Sequence, residues 1–389
     1  MTGSRMRRLT SYFLAAAAAV LFLCSLLVLV SAPTEWLWIV AIVIGEWGHL
    51  VAIACLVLAL LSFRRGGLGR ITALLALLAA ALSFLPAVRA AMIARSLPLL
   101  CTSAFGAEAT PRAREADPFS VAGLLRREPA SDVDISEHVY ANVGRKRLEL
   151  DLYRAKSAVG LQPLIVVVHG GSWNGGSKEQ LRAMNRHLAR LQYTVAAINY
   201  RHAPKQPFPA PVDDVFRAID FLKAHAAEFQ LDLTRIVLIG RSAGGQIALS
   251  AAYAGREPSI RGVVSFYAPT DLVLGYNKPS AVLDSNKALE DYLGGSPAQN
   301  PEGYAAASPA NHVGASTPPT LLIHGALDPI VWPLHSQLLT ERLEQSGAKH
   351  LYLRLPWATH GCDANLSGPS GQLSMYAIDR FLAAVLSAP

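Results

Sequence analysis

No two cysteines in these 389 residues stand at C-x-x-C spacing and no H-E-x-x-H occurs, so the usual zinc and iron–sulfur ligand patterns are missing and no metal or other cofactor is expected. Cysteine itself is scarce. Cys24 and Cys55 fall inside long apolar runs and read as small buried hydrophobes, while Cys101 and Cys362 are left either to form a disulfide or to stay as thiols. Charged residues make up only 16% of the chain, and the net charge of +7 is unevenly spread. Residues 1–96 hold eight arginines against Glu35 and Glu46, a balance of +6 that leaves about +1 for the rest. No basic stripe with interleaved aromatics exists to follow phosphates, so nucleic acid is not expected as a partner.

What the chain has in excess is apolar residues, 52% of the total, with a mean hydropathy of +0.29. Three runs account for it: Tyr12 to Val30, Trp36 to Phe63 and Ile71 to Val88. Each is long enough to cross a bilayer core of about 30 Å as a helix. The first run follows Arg5, Arg7 and Arg8 as a signal peptide does, but its length exceeds the usual h-region and a retained helix is expected. Residues 1–95 thus read as a three-helix membrane anchor. Arg64, Arg65 and Arg70 fill the second loop, whereas Ser31 to Glu35 carries no Lys or Arg. The positive-inside rule puts the N-terminus in the cytoplasm and everything after the third span outside it, with Arg89 and Arg95 running mildly against this. Glu46 and His49, three apart on one helical face, are expected to hydrogen-bond each other within the anchor; a functional intramembrane pair is the alternative. Residues 96–131, with Pro98, Pro111, Pro118 and Pro129, read as a linker or cap, with an amphipathic helix over Phe119 to Arg126 lying on the membrane or over a pocket.

Chemistry enters with Gly240-Arg241-Ser242-Ala243-Gly244-Gly245, which follows the apolar run Arg235 to Ile239 and opens a helical segment. A serine at a sharp strand-to-helix turn needs small neighbours, because a Cβ at Gly240 or Gly244 collides with strand or helix. Such a turn exposes Ser242 and aims the Ala243 N–H, at a helix N-terminus, at a developing oxyanion. A plain glycine-rich loop is the bland alternative. Upstream, the β-branched run Leu164 to Val168 ends in His169-Gly170-Gly171-Ser172-Trp173, so Gly170 and Gly171 are candidates to complete an oxyanion hole with Ala243.

Triad members then follow in the order Ser, acid, His, each after a later strand. Among the eleven histidines, His335 falls in a helix pattern and His350 begins a strand, whereas His360 lies in the loop after Leu351 to Leu355. His360 is therefore the expected base and Asp328, after Leu321 to His324, the expected acid, with Asp271 as the competing acid. His324 reads as a structural histidine.

Together His169 to Trp173, Tyr200-Arg201-His202-Ala203-Pro204, Phe208-Pro209-Ala210 and Gly240 to Gly245 make the chain from about Val133 to Leu386 resemble the α/β-hydrolases of the hormone-sensitive-lipase type. Ser308-Pro309-Ala310-Asn311 and the Asp328 and His360 loops are also similar to the feruloyl-esterase-like (BD-FAE-like) and prolyl-oligopeptidase-like branches. Arg241 and His202 depart from the family pattern near the site. The resemblance implies a serine esterase or lipase-like enzyme acting on a small-molecule ester, lipid-like or not, with amidase or peptidase activity and a silent scaffold as alternatives. Residues 132–389 are expected to form an eight-stranded, mostly parallel, doubly wound sheet, with a cap insertion over about 272–316.

Overall fold

The structure is a computed structural model that describes residues 3–106, 117–126 and 132–387. Three helices come first, α1 (Gly3–Ser25), α2 (Glu35–Phe63) and α3 (Gly66–Phe105). Their spans Met6–Val28, Glu35–Phe63 and Gly66–Phe105 are long and apolar enough to cross a membrane. Large side chains on them face outward, Phe13 at 71% exposure and Leu60 at 77%, a pattern that contact with lipid would favour over contact with water.

The third helix is longer than its apolar run. It passes Pro86 and Pro98 without ending and reaches about 60 Å, twice a bilayer core. Its last turns are a domain element: Leu97, Cys101 and Phe105 are buried, and the Phe105 ring stands 5.0 Å from that of Phe381. The linker expected over 96–131 is thus helical as far as Phe105, and its parts 107–116 and 127–131 lie outside the described residues. Between them, the segment expected as an amphipathic helix makes only the 3-10 turn Ala122–Leu125. Phe119 and Leu124 there are buried, and Gln372 Oε1 accepts from Ser120 N at 2.9 Å.

The eight strands are β1 (Val133–Val143), β2 (Lys146–Ala155), β3 (Gln162–Val168), β4 (Thr194–Ile198), β5 (Leu231–Arg241), β6 (Ile260–Phe266), β7 (Thr320–Gly325) and β8 (His350–Leu355). They lie in the order β1-β2-β4-β3-β5-β6-β7-β8. The pairs β1/β2 and β2/β4 are antiparallel and the rest parallel. Every residue of β3 is buried, as a parallel strand covered on both faces demands. Its side chains alternate between two cores, Leu164, Val166 and Val168 in one, Ile165 and Val167 in the other.

Along the domain the helices are α4 (Arg182–Arg190), α5 (Ala210–Ala224), α6 (Ala226–Phe229), α7 (Ala243–Tyr253), α8 (Leu272–Asn277), α9 (Ser285–Leu293), α10 (Pro301–Ala307), α11 (Leu334–Ser346) and α12 (Pro369–Leu386). The core on the α7 side is entirely the domain's own. The core on the α12 side also takes in Ile44 of α2 and Ala87, Ala90, Leu97 and Cys101 of α3. The N-terminal helices and the domain thus share one hydrophobic core. The span 272–316 holds α8, α9 and α10 rather than strands.

Candidate active site

Ser242 sits between the last residue of β5 and the first of α7, with φ 52° and ψ −126°. Such backbone strain persists only where its surroundings hold it. The glycines explain how it is held. A Cβ on Gly240 would lie 2.1 Å from Gly244 O, and one on Gly244 would lie 2.2 Å from His169 O, so β5, α7 and the end of β3 close on one another with no room for a side chain.

The ends of three parallel strands deliver the other groups. His360 Nε2 is 3.0 Å from Ser242 Oγ, and His360 Nδ1 is 2.6 Å from Asp328 Oδ2. Asp328 is fully buried yet well satisfied: its Oδ1 accepts from Ile330 N at 2.8 Å and Val331 N at 2.9 Å, and His324 Nε2 approaches Oδ2 at 3.2 Å. Burial pushes its pKa up, but His360 and His324 outweigh burial and hold the carboxyl well below the usual carboxylate range. Ser242, His360 and Asp328 are thereby brought into one hydrogen-bonded chain. Asp271 is not part of it; its Oδ1 accepts from Leu274 N at 3.0 Å and caps α8. His335 is buried with Nδ1 accepting from Thr270 N at 3.2 Å, and His350 Nδ1 bonds Ala348 O at 2.8 Å.

Among the expected oxyanion donors, Gly170 has a side-chain partner. Gly170 N–H already donates to Gln180 Oε1 at 3.1 Å, so of the three expected donors it is the one engaged by a side chain. A narrow cleft of about 60 Å³, partly open to solvent, runs from Ser242 and Ala243 past Trp173, Leu289, Val331 and Trp332. Trp173 is fixed by its N–H to Gln246 Oε1 at 2.8 Å and by stacking on Tyr292 with centroids 4.6 Å apart. This is an apolar slot ending at a hydroxyl, with Lys278 and Asp284 as its charged residues.

Arg241 and His202 lie near the site without lining the cleft. Arg241 Nη2 bonds Asp363 Oδ1 at 2.7 Å and its Nε bonds Tyr267 OH at 2.8 Å, so it braces the loop that carries His360. His202 packs edge-on to His169 and Tyr200. The expected Glu46 to His49 bond is not formed. Glu46 instead reaches the domain, its Oε2 accepting from Ser370 N at 3.2 Å and its backbone O from Asn365 Nδ2 at 3.0 Å. The same helix brings an unforeseen group: Trp38 Nε1 donates to His360 O at 2.8 Å. Cys101 and Cys362 are both buried and unbridged. Among the described residues no cluster of three His, Cys, Asp or Glu is placed to hold a metal.

Two buried histidines near the site are expected to make the fold acid-labile. Burial pushes His169 down to about 4 and His335 down to about 3, so both are neutral in the native state at pH 5 and protonated in the unfolded chain. The unfolded state then binds more protons, and stability rises with pH. Lowering the pH from 7 to 5 is expected to remove about 2 kcal/mol for each histidine. The depressed Asp328 acts in the same direction below about pH 4. Thermal unfolding at the two pH values checks this: a melting temperature unchanged at pH 5 contradicts neutral, buried His169 and His335.

The sequence model of the BD-FAE family matches residues 150–343. A Mycobacterium tuberculosis protein named "Probable carboxylic ester hydrolase LipM" is 30% identical over 277 residues, 67% of this chain and 63% of that protein. "Esterase LipQ" of the same organism is 29% identical over 259 residues, 62% of this chain and 60% of its own length. The chain therefore spans about three fifths of these relatives. The solved esterase of Pyrobaculum calidifontis superposes with a TM-score of 0.56 at 21% identity, over 78% of this chain and 94% of that one, which speaks for the fold alone.

Proposed function

We propose, for a chain whose residues 150–343 belong to the BD-FAE family of the α/β-hydrolases, that it is an integral membrane serine hydrolase of carboxylic esters. The observation that carries the reading is the hydrogen-bonded chain from Ser242 through His360 to Asp328. In the proposed reaction His360 takes the Ser242 proton as Oγ attacks the ester carbonyl. Asp328 fixes the imidazole tautomer and stabilises the imidazolium, while the Gly171 and Ala243 N–H groups bind the oxyanion. The alcohol leaves with the proton from His360, and water, activated by the same imidazole, releases the acid. The names of the two mycobacterial relatives, both ester hydrolases, support this chemistry. The apolar cleft beside Ser242 favours a hydrophobic acyl or alcohol group. In domain terms we assign residues 1–95 to the anchor and 132–389 to catalysis, with α8 and α9 shaping the pocket.

The same reading sets three membrane crossings with the catalytic domain on the extracytoplasmic side. Arginine placement supports it: Arg7, Arg8, Arg64 and Arg65 line a common hollow at one end of the helices. At the other end, Trp38 of α2 and Phe105 of α3 touch the hydrolase domain. One experiment tests activity and orientation together. A sulfonated, membrane-impermeant phenyl ester offered to intact spheroplasts making the chain is expected to be hydrolysed without lysis. Hydrolysis that appears only after permeabilisation puts the domain in the cytoplasm, and none in either case contradicts the esterase reading.

A further inference from the structure

One face of α2 leaves the helical bundle and runs along the loop that carries His360. Trp38, Ile42, Gly45 and Glu46 share that face at helical spacing. Each meets the loop. Trp38 Nε1 donates to His360 O at 2.8 Å, and its ring stands edge-on to the imidazole with centroids 6.4 Å apart. A Cβ on Gly361 would come within 3.2 Å of Ile42 Cδ1, and one on Gly45 within 3.9 Å of Trp357 Cδ1, so both contacts are close-packed. Glu46 closes the far end through Ser370 N and Asn365 Nδ2.

On its other side the loop is held by the domain. The Tyr267 ring lies 4.3 Å from that of His360, and Arg241 pairs with Asp363 at 2.7 Å. Gly361 turns with φ +82°, in the left-handed region, so the peptide following His360 takes a conformation that local preference alone does not fix. The carbonyl of that peptide is the one Trp38 holds.

We infer that the second membrane helix is part of the active site, with Trp38 as a positioning residue for His360. This rests on the serine-hydrolase reading. The indole N–H fixes the backbone from which the imidazole projects, and so raises the fraction of molecules in which Nε2 lies in reach of Ser242 Oγ. Trp38 does not line the cleft beside Ser242, so its loss is expected to act on the chemical step and not on substrate affinity.

The test uses the full chain in lipid nanodiscs, with competent sites counted by stoichiometric phosphonate titration. Trp38→Phe keeps a ring and removes the donor. It is expected to lower kcat per titrated site, and the rate of phosphonylation, by about tenfold, with KM within twofold of wild type. Trp36→Phe, two residues away on the same helix with Trp36 81% exposed, is expected to leave both unchanged. If Trp38→Phe does not assemble, β-(3-benzothienyl)alanine at position 38 replaces only the N–H with sulfur and is expected to give the same loss. Ser242→Ala runs alongside. Should it retain turnover, the serine-hydrolase reading fails; should it be inactive while loss of the Trp38 donor leaves kcat per site untouched, α2 is an anchor only and this inference is overturned.

Discussion

Ser242→Ala is expected to lower kcat for a phenyl ester by about 10⁵-fold or more, because no other group stands where Oγ meets His360 Nε2. The melting temperature should shift little, since the hydroxyl contributes one hydrogen bond at a half-exposed position. Stopped-flow or end-point absorbance with purified wild type and variant reads the first quantity, and a thermal scan the second. Retained turnover at a tenth of wild type would remove Ser242 from the mechanism.

Asp328→Asn carries the second large effect. An amide at this position presents the wrong partner to His360 Nδ1 and favours the wrong imidazole tautomer, which is expected to lower kcat by about 10⁴-fold. It also exchanges a buried acceptor, served by Ile330 N, Val331 N and both neighbouring histidines, for a group with half the acceptor capacity. A lower melting temperature should accompany the kinetic loss. Asp271→Asn is the informative control. As an N-cap that Asn can replace, it is expected to leave kcat within severalfold of wild type. If it proves the more damaging of the two, the acid has been misassigned.

Much of the sheet could be read from the sequence because parallel strands buried on both faces leave uninterrupted apolar runs, as in Leu164 to Val168 and Ile236 to Ile239. Ser242 and Asp328 follow such runs, and His360 follows the alternating strand β8, each in a loop where glycine and turn signals are strong. β1 was not legible. It pairs only with β2, at the edge, and its sequence Val-Asp-Ile-Ser-Glu-His-Val shows charges that water, not a core, surrounds. The reach of α3 into the domain was hidden by Pro98 and by Arg89 and Arg95, which look like the end of a membrane span. Neighbouring packing carries the helix past them.

The contact between α2 and the His360 loop left no sequence signal of its own. A helix face packed on protein and a face packed on lipid are both apolar, so Trp38 and Ile42 read alike under either role. Glu46 and His49 were the discordant residues. The buried Glu46 carboxyl is met by Ser370 N at the start of α12, a partner 324 positions away that spacing arguments do not reach. The partner of Gly170 was hidden for the opposite reason: the double glycine implied two free donors, and Gln180, ten residues on, takes one of them.

The central claim is that a single serine, Ser242, performs the covalent chemistry. The most direct measurement treats the full-length protein with a fluorophosphonate, digests it and locates the adduct by mass spectrometry, with turnover followed in parallel. The account predicts one adduct, on Ser242, forming at the same rate as activity is lost. An adduct on any other serine, or full ester hydrolysis with Ser242 unmodified and no adduct found, contradicts it.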